Sequence, residues 1–252
     1  MADETRETSS SDPAPPRAGF FRRASTYLIG VPVLLLLLVG GPFVFINFIE
    51  GDPPAKLRFD SASTSSTTFG GTGTTVPPSV DGTWKVKAGS QAGYRVEEVL
   101  FGQSAEAVGR TSAVTGTFTI SGTTVSGATF VVDLTKVTSG QANRDGQFQG
   151  RIMSTATYPT AMFTLTQPIS LASLPANLVE TTVPVTGDLT LHGKTQPVTF
   201  ELKARRNGDT IELNGTIAVT FADYGIANPS FGPASVGDTG QVEFLFVLDK
   251  KS

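Results

Sequence analysis

From Asp81 onward the chain alternates apolar and polar residues with a period of two, the spacing that sends successive side chains to opposite faces of a strand. Val183, Val185, Leu189 and Leu191 alternate with Thr182, Thr186, Asp188 and Thr190, and Val198, Phe200, Leu202 and Ala204 alternate with Thr199, Glu201, Lys203 and Arg205. Ile211, Leu213, Ile217, Val219 and Phe221 do the same against Thr210, Glu212, Asn214, Thr216 and Thr220. One face of each stretch is apolar and the other wet. His192-Gly193 and Asn207-Gly208 separate the three, and the second pair predicts a two-residue hairpin turn with both central residues at positive φ. The order is then an antiparallel meander. Further strands are expected at 91–99, 105–111, 114–121, 124–134, 160–167 and 240–248, punctuated by glycines such as Gly102, Gly122 and Gly140. Only 141–153 breaks the period, as a short helical or irregular excursion. Eight or more antiparallel strands must close or stack to hide their edges, so the fold class is all-β, barrel or sandwich. Periodicity alone does not choose between them.

The chain before Asp81 reads differently. Residues 1–26 open with a polar run rich in Ser, Pro and charge that cannot bury a core, and are expected to be a disordered cytoplasmic tail. Tyr27 to Ile49 carries no charge and, as a helix, would span roughly 34 Å at 1.5 Å per residue, enough to cross a bilayer. Leu34–Leu38 is apolar on every face, which argues against a half-buried core helix. Arg17, Arg22 and Arg23 precede the span while Glu50 and Asp52 follow it, so the positive-inside tendency predicts a single-pass anchor with the C-terminal part outside the cytoplasm. A cleaved signal peptide is the alternative, although the apolar run is long for one. Residues 50–80 are dominated by Ser, Thr, Gly and Pro and are expected to be a flexible linker that lifts the 81–252 domain off the membrane.

Composition narrows the chemistry. There is no cysteine, so disulfides, thiolate metal sites and a cysteine nucleophile are excluded. His192 is the sole histidine. A metal site or a triad would have to do without the usual ligand and base. The formal net charge is −3, with no basic field to attract nucleic acid. No cofactor-binding motif is present.

Several short motifs carry a resemblance. Val114-Thr115-Gly116-Thr117-Phe118, then ValAspLeu at 132–134 with Thr138-Ser139-Gly140 and Asn143-Arg144-Asp145, then Tyr158-Pro159 and Phe163, are similar in order and spacing to the YceI-like family. So are Gly187-Asp188-Leu189-Thr190-Leu191-His192-Gly193 with Pro197-Val198, and Asp223-Tyr224-Gly225 with Val236-Gly237-Asp238. The resemblance covers about residues 81–250 and implies a lipocalin-like antiparallel β-barrel whose apolar interior encloses a polyisoprenoid or similar long-chain amphiphile. The chain departs from the commonest family pattern at Ala92-Gly93-Tyr94-Arg95-Val96 and Val108-Gly109-Arg110-Thr111, where members more usually carry a Ser and a His.

If the apolar phase lines a tube, Phe118, Phe130, Phe163, Phe200, Leu202, Leu213, Val219 and Phe221 are candidate ligand contacts as well as core residues. Arg144 is the candidate donor to a phosphate or hydroxyl headgroup; alternatively, Arg144 and Asp145 fix a chain reversal by an ion pair or an Asx-type backbone bond. His192 abuts a turn glycine and is read first as a turn residue, then as a headgroup contact; on a strand Asp188 would lie roughly 13 Å from it, too far for a catalytic pair. A lipid-binding protein is therefore expected rather than an enzyme. The other readings are a structural or stress-related envelope domain with a side-chain-filled core, and a hydrolase.

Overall fold

The computed structural model describes residues 53–60, 79–171, 173 and 176–251; the tail at 1–26, the apolar span at 27–49 and most of the linker lie outside them. Among the described residues no helix is long and apolar enough to cross a membrane. The described residues form twelve strands: β1 (Gly82–Val86), β2 (Gln91–Leu100), β3 (Gln103–Thr111), β4 (Val114–Ser121), β5 (Thr124–Asp133), β6 (Thr160–Leu165), β7 (Ile169–Ser170), β8 (Thr181–Leu191), β9 (Lys194–Asn207), β10 (Thr210–Thr220), β11 (Ala234–Val236) and β12 (Thr239–Lys250). Between β5 and β6 lies α1 (Ala142–Gln147), which widens into a π-turn at Phe148–Ile152.

The ladder runs β1-β4-β5-β6-β8-β9-β10-β12, and β12 then pairs back onto β1, so eight antiparallel strands close a ring. This decides for a barrel over a sandwich. The N-terminal half of β12 also takes β2 as a partner, with Gln241 opposite Arg95 and Leu245 opposite Gln91, and β3 folds back on β2. At one end the barrel is covered by the 134–159 excursion, the Phe221–Tyr224 turn and β11. Asp145 secures the excursion, since its carboxylate accepts from the Thr138 hydroxyl at 2.6 Å and from the Ser139 amide and hydroxyl, each at 2.7 Å.

The expected strands are present within a residue or two. Two turns exchange character, however. The two-residue loop after β8 is His192-Gly193, with φ of 50° and 74°, so the double positive φ belongs there. After β9 the loop is Gly208-Asp209 and only Gly208 is left-handed, at 60°. Asn207 instead stays in the ladder opposite Thr210, its amide donating to Glu212 at 2.8 Å. Residues 53–60, expected to belong to a free linker, form an extended segment on the outer wall, hydrogen-bonded to Arg95, Asn214 and Arg205. The folded domain also begins slightly early, because Val80 is buried and its carbonyl accepts from the Trp84 indole at 2.8 Å.

The core is the inward phase of the ring. Leu213 is 1% exposed and Leu248 fully buried, and five phenylalanines run across the interior in contact: Phe163 with Phe200, Phe200 with Phe244, Phe244 with Phe246, and Phe246 with Phe130, centroids 4.7–5.9 Å apart. Gly215 makes room for them. A β-carbon there would lie 2.6 Å from the Phe244 ring. Gly215→Ala should therefore destabilise the barrel by about 1–3 kcal/mol through overpacking. Gly127→Ala, which meets nothing within 4 Å, should stay within about 0.5 kcal/mol of wild type. Denaturant melts of the two variants check the contrast, and equal losses would contradict this packing.

Candidate functional site

Closing the ring turns the period-two pattern into an interior. Alternate residues of each ring strand point inward, and where they do not fill the space they leave voids. Three apolar cavities lie one after another along the barrel. The middle one, about 60 Å³, is walled by Phe118, Phe130, Phe163, Phe200, Leu202, Leu213, Phe244 and Phe246 among others, and every residue lining it is apolar. Next to the covered end lies a cavity of about 90 Å³, between Val219, Phe221 and Val96 on the barrel and Leu134, Val137, Phe148 and Met153 of the excursion. Toward the opposite end a third, about 60 Å³, is lined by Val80, Phe118, Ile120, Val125, Ile211 and Leu213. The middle and covered cavities share Ala92, Val132, Ala161 and Val242; the middle and far cavities share Phe118 and Leu213. The three are compartments of one channel, divided by side chains.

Each compartment is smaller than the apolar hole of about 150 Å³ that takes up benzene in an engineered core. Side chains fill most of the tube. A long chain needs the dividing rings to turn aside, and those rings are held by one another rather than by hydrogen bonds, so a slender apolar guest that restores their contacts can replace them.

Polar groups gather at the covered end. Glu98, at the inward phase of β2, pairs with Arg144 of α1 at 3.3 Å. Tyr94, four residues earlier on the same face of β2, is stacked on Phe148 with centroids 4.9 Å apart, and burial pushes its phenol up to about 12. Burial also acts to raise the Asp145 carboxyl, but the hydrogen bonds from Thr138 and Ser139, with the Arg144 charge, outweigh it and hold the group below the ordinary carboxylate range. Tyr224 is buried at this end too, and its hydroxyl is the one buried side-chain polar atom without a hydrogen-bond partner among the described residues.

The apolar candidates from the sequence, Phe118, Phe130, Phe163, Phe200, Leu202, Leu213, Val219 and Phe221, all line one or more of the cavities. Arg144 and His192 do not. Arg144 sits at the covered end and pairs with Glu98 across the α1–β2 contact, while Asp145 takes a backbone bond, from the Ser139 amide. His192 holds its turn: its ring packs edge-on to Tyr158 at 4.6 Å and its Nδ1 lies 3.3 Å from the Tyr224 carbonyl. Sequence reasoning missed Tyr94, Phe148 and Met153. For Tyr94 the signal was there, since Ala92, Tyr94 and Val96 share one phase; for Phe148 and Met153 it was not, because a π-turn has no period to read.

Comparisons with known proteins agree with this architecture. The chain matches a polyisoprenoid-binding domain from Saccharophagus degradans with a TM-score of 0.55 at 22% identity, covering 67% of this chain and 98% of that one. BcnA of Burkholderia cenocepacia gives a TM-score of 0.51 at 20% identity, covering 64% and 98%. Among curated relatives, a UPF0312 protein of Pseudomonas savastanoi pv. phaseolicola is 35% identical over 106 residues, and one of Pseudomonas putida is 36% identical over 98 residues. The chain spans about half the length of these relatives, 50% and 47%. The model of the YceI-like domain matches residues 84–248, well over half of the sequence. With that match and a closed antiparallel ring around a largely apolar interior, the chain belongs to the YceI-like family.

Proposed function

We propose that the barrel binds a long-chain isoprenoid lipid in its channel, and that it does so on the outer face of a membrane to which residues 27–49 anchor it. The observation that carries the reading is the line of three apolar cavities sharing lining residues from one end of the barrel to the other. A linear apolar chain matches that shape, and each methylene withdrawn from water contributes about 0.8 kcal/mol without any polar recognition. The name of the Saccharophagus degradans neighbour supports an isoprenoid as the guest. The anchor rests on the uncharged Tyr27–Ile49 run and the arginines before it. Phe118, Phe130, Phe163, Phe200, Leu202, Leu213, Val219 and Phe221 then contact the chain. Its polar end lies at the covered end, where Arg144 gives up part of its contact with Glu98 to a phosphate or hydroxyl. His192 is left to its turn. Binding, not catalysis, is the role.

Three outcomes follow. Leu213→Asp buries an unpaired carboxylate in the channel at a cost of several kcal/mol, so lipid binding and most of the cooperative melt should disappear together. Phe200→Ala leaves a void that costs about 3–5 kcal/mol in a solid core. A polyprenyl lipid should recover much of that loss, and it should raise the melting temperature of wild type as well, because it binds only the folded barrel. Melting temperatures that stay flat across a lipid titration would show a barrel packed with its own side chains. Acid should loosen the cover. A carboxyl whose folded pKa lies below its unfolded value stabilises the fold above the ordinary carboxylate pKa, and that contribution fades as pH falls through the folded value. Below about pH 4 lipid release should therefore speed up, and Asp145→Asn should release faster already at pH 7 with a flatter pH profile; fluorescence of a parinaric-type chain leaving the barrel reads both.

A further inference from the structure

The covered end is closed by two pieces that lie outside the ring: the excursion after β5 and the 225–233 loop after the Phe221–Tyr224 turn. Phe148 and Met153 of the first and Ile226 of the second wall the same cavity of about 90 Å³. The excursion is held very differently on its two sides. Toward β2 and β3 it is tied by main chain and packing: Arg110 and Thr138 exchange amide–carbonyl bonds at 2.9 and 3.0 Å, Phe148 stacks on Tyr94, and Arg144 pairs with Glu98. Toward the loop, no main-chain hydrogen bond joins 134–159 to 221–238 among the described residues.

Arg151 spans that seam. Its Nη2 donates to the Pro229 carbonyl at 2.7 Å and its Nη1 to the Asn228 carbonyl at 3.4 Å, while the guanidinium lies 5.5 Å from the centroid of the Phe231 ring. Its Nε donates to Gln147 Oε1 at 3.0 Å, which aims the side chain from one turn earlier in the excursion. The loop it grips is stiff by itself, because the Asn228 amide donates to the Val236 carbonyl at 3.1 Å and the Ser230 hydroxyl accepts from the Val236 amide at 2.8 Å. The excursion is the piece that can move. Residues 141–153 are bounded by two left-handed residues, Gly140 at a φ of 78° and Ser154 at 47°. Arg151 is exposed, so water can replace the carbonyls it holds, and this seam is where the cover opens at least cost.

We propose that the guest enters and leaves the channel between Gln147–Met153 and the 226–233 loop, and that Arg151 is the latch on this portal. The portal rests on the lipid-binding reading given above; the latch does not. Opening here carries Met153 away from Ile226 while the Thr138–Arg110 bonds and the Arg144–Glu98 pair stay in place. Arg151 grips the loop and not the guest. An interaction that is the same in the empty and the loaded barrel changes the rates of exchange and leaves the equilibrium alone.

Stopped-flow fluorescence of parinaric acid mixed with the full chain reads entry and exit. Arg151→Ala removes two hydrogen bonds and should raise both rates about tenfold, with affinity held within about twofold. Arg151→Lys keeps the charge without the planar fork and should fall between the two. The native chain lacks cysteine, so Arg151→Cys/Pro229→Cys can be joined by a reducible bis-maleimide, which should stop exchange until it is reduced. The same link between Asn177→Cys and Asp209→Cys, beside the Gly208–Asn177 hydrogen bond at the opposite end of the barrel, should leave exchange unchanged. If the second link stops exchange, the guest uses the other mouth and the portal is overturned. If Arg151→Ala speeds exit alone, the residue holds the guest itself and the latch is overturned; unchanged rates overturn it too. If parinaric acid is not taken up at all, the lipid reading fails and amide hydrogen exchange decides the latch. Protection of the Met153 and Thr155 amides should then drop in Arg151→Ala while that of Arg110 and Thr138 holds, and equal protection in variant and wild type overturns the latch.

Discussion

β12 pairs with β10 along one edge and with β1 and β2 along the other, and that double pairing is the contact on which everything else depends. An antiparallel sheet of this length left open would expose two rows of unpaired backbone groups. Closing it removes the edges and at the same time creates an inside and an outside with different solvents. Each apolar residue of the inward phase then has no choice of neighbour: it meets the far wall of the ring. The ring is wide enough that Phe163, Phe200, Phe244, Phe246 and Phe130 reach across it in a chain of ring contacts, yet not so narrow that they fill it. The channel is a by-product of that mismatch, and a flexible apolar guest is the simplest thing to complete it.

Much of this was legible in the residues. Val183 to Leu191, Val198 to Ala204 and Ile211 to Val219 alternate so cleanly that a one-residue slip would turn every apolar side chain outward, so strand positions and the facing of Leu202, Leu213 and Val219 were determined locally. The turns were harder. Asn207-Gly208 has the stronger composition for a doubly left-handed loop, but the hydrogen bond from Asn207 to Glu212 keeps it in the ladder, whereas His192 is forced to a φ of 50° by the register of β8 on β9. Tertiary pairing outranked local preference in both.

The ends of the channel and its outer wall were not legible for a different reason: they are made of contacts distant in sequence. Glu98 and Arg144 meet across 46 residues, and Arg95 and Arg110 find the Pro54 and Ala55 carbonyls across a stretch whose composition reads as tether. Arg95, Glu106, Arg110 and Glu243 each occupy an ordinary outward position in an alternating strand, and only the register of β2, β3 and β12 brings them together. The stretches 92–96 and 108–111, where the chain departs from the commoner family pattern, place Arg95 and Arg110 on the outer wall and Ala92, Tyr94 and Val96 on the cavities.

The central claim is that the channel is occupied by a lipid when the protein works, and the contents of the barrel test it most directly. The full chain purified from the cells that make it, washed free of bulk lipid and extracted for mass spectrometry, should yield a long-chain isoprenoid in stoichiometric amount. A folded, cooperatively melting protein whose extract contains no long-chain lipid would contradict the account.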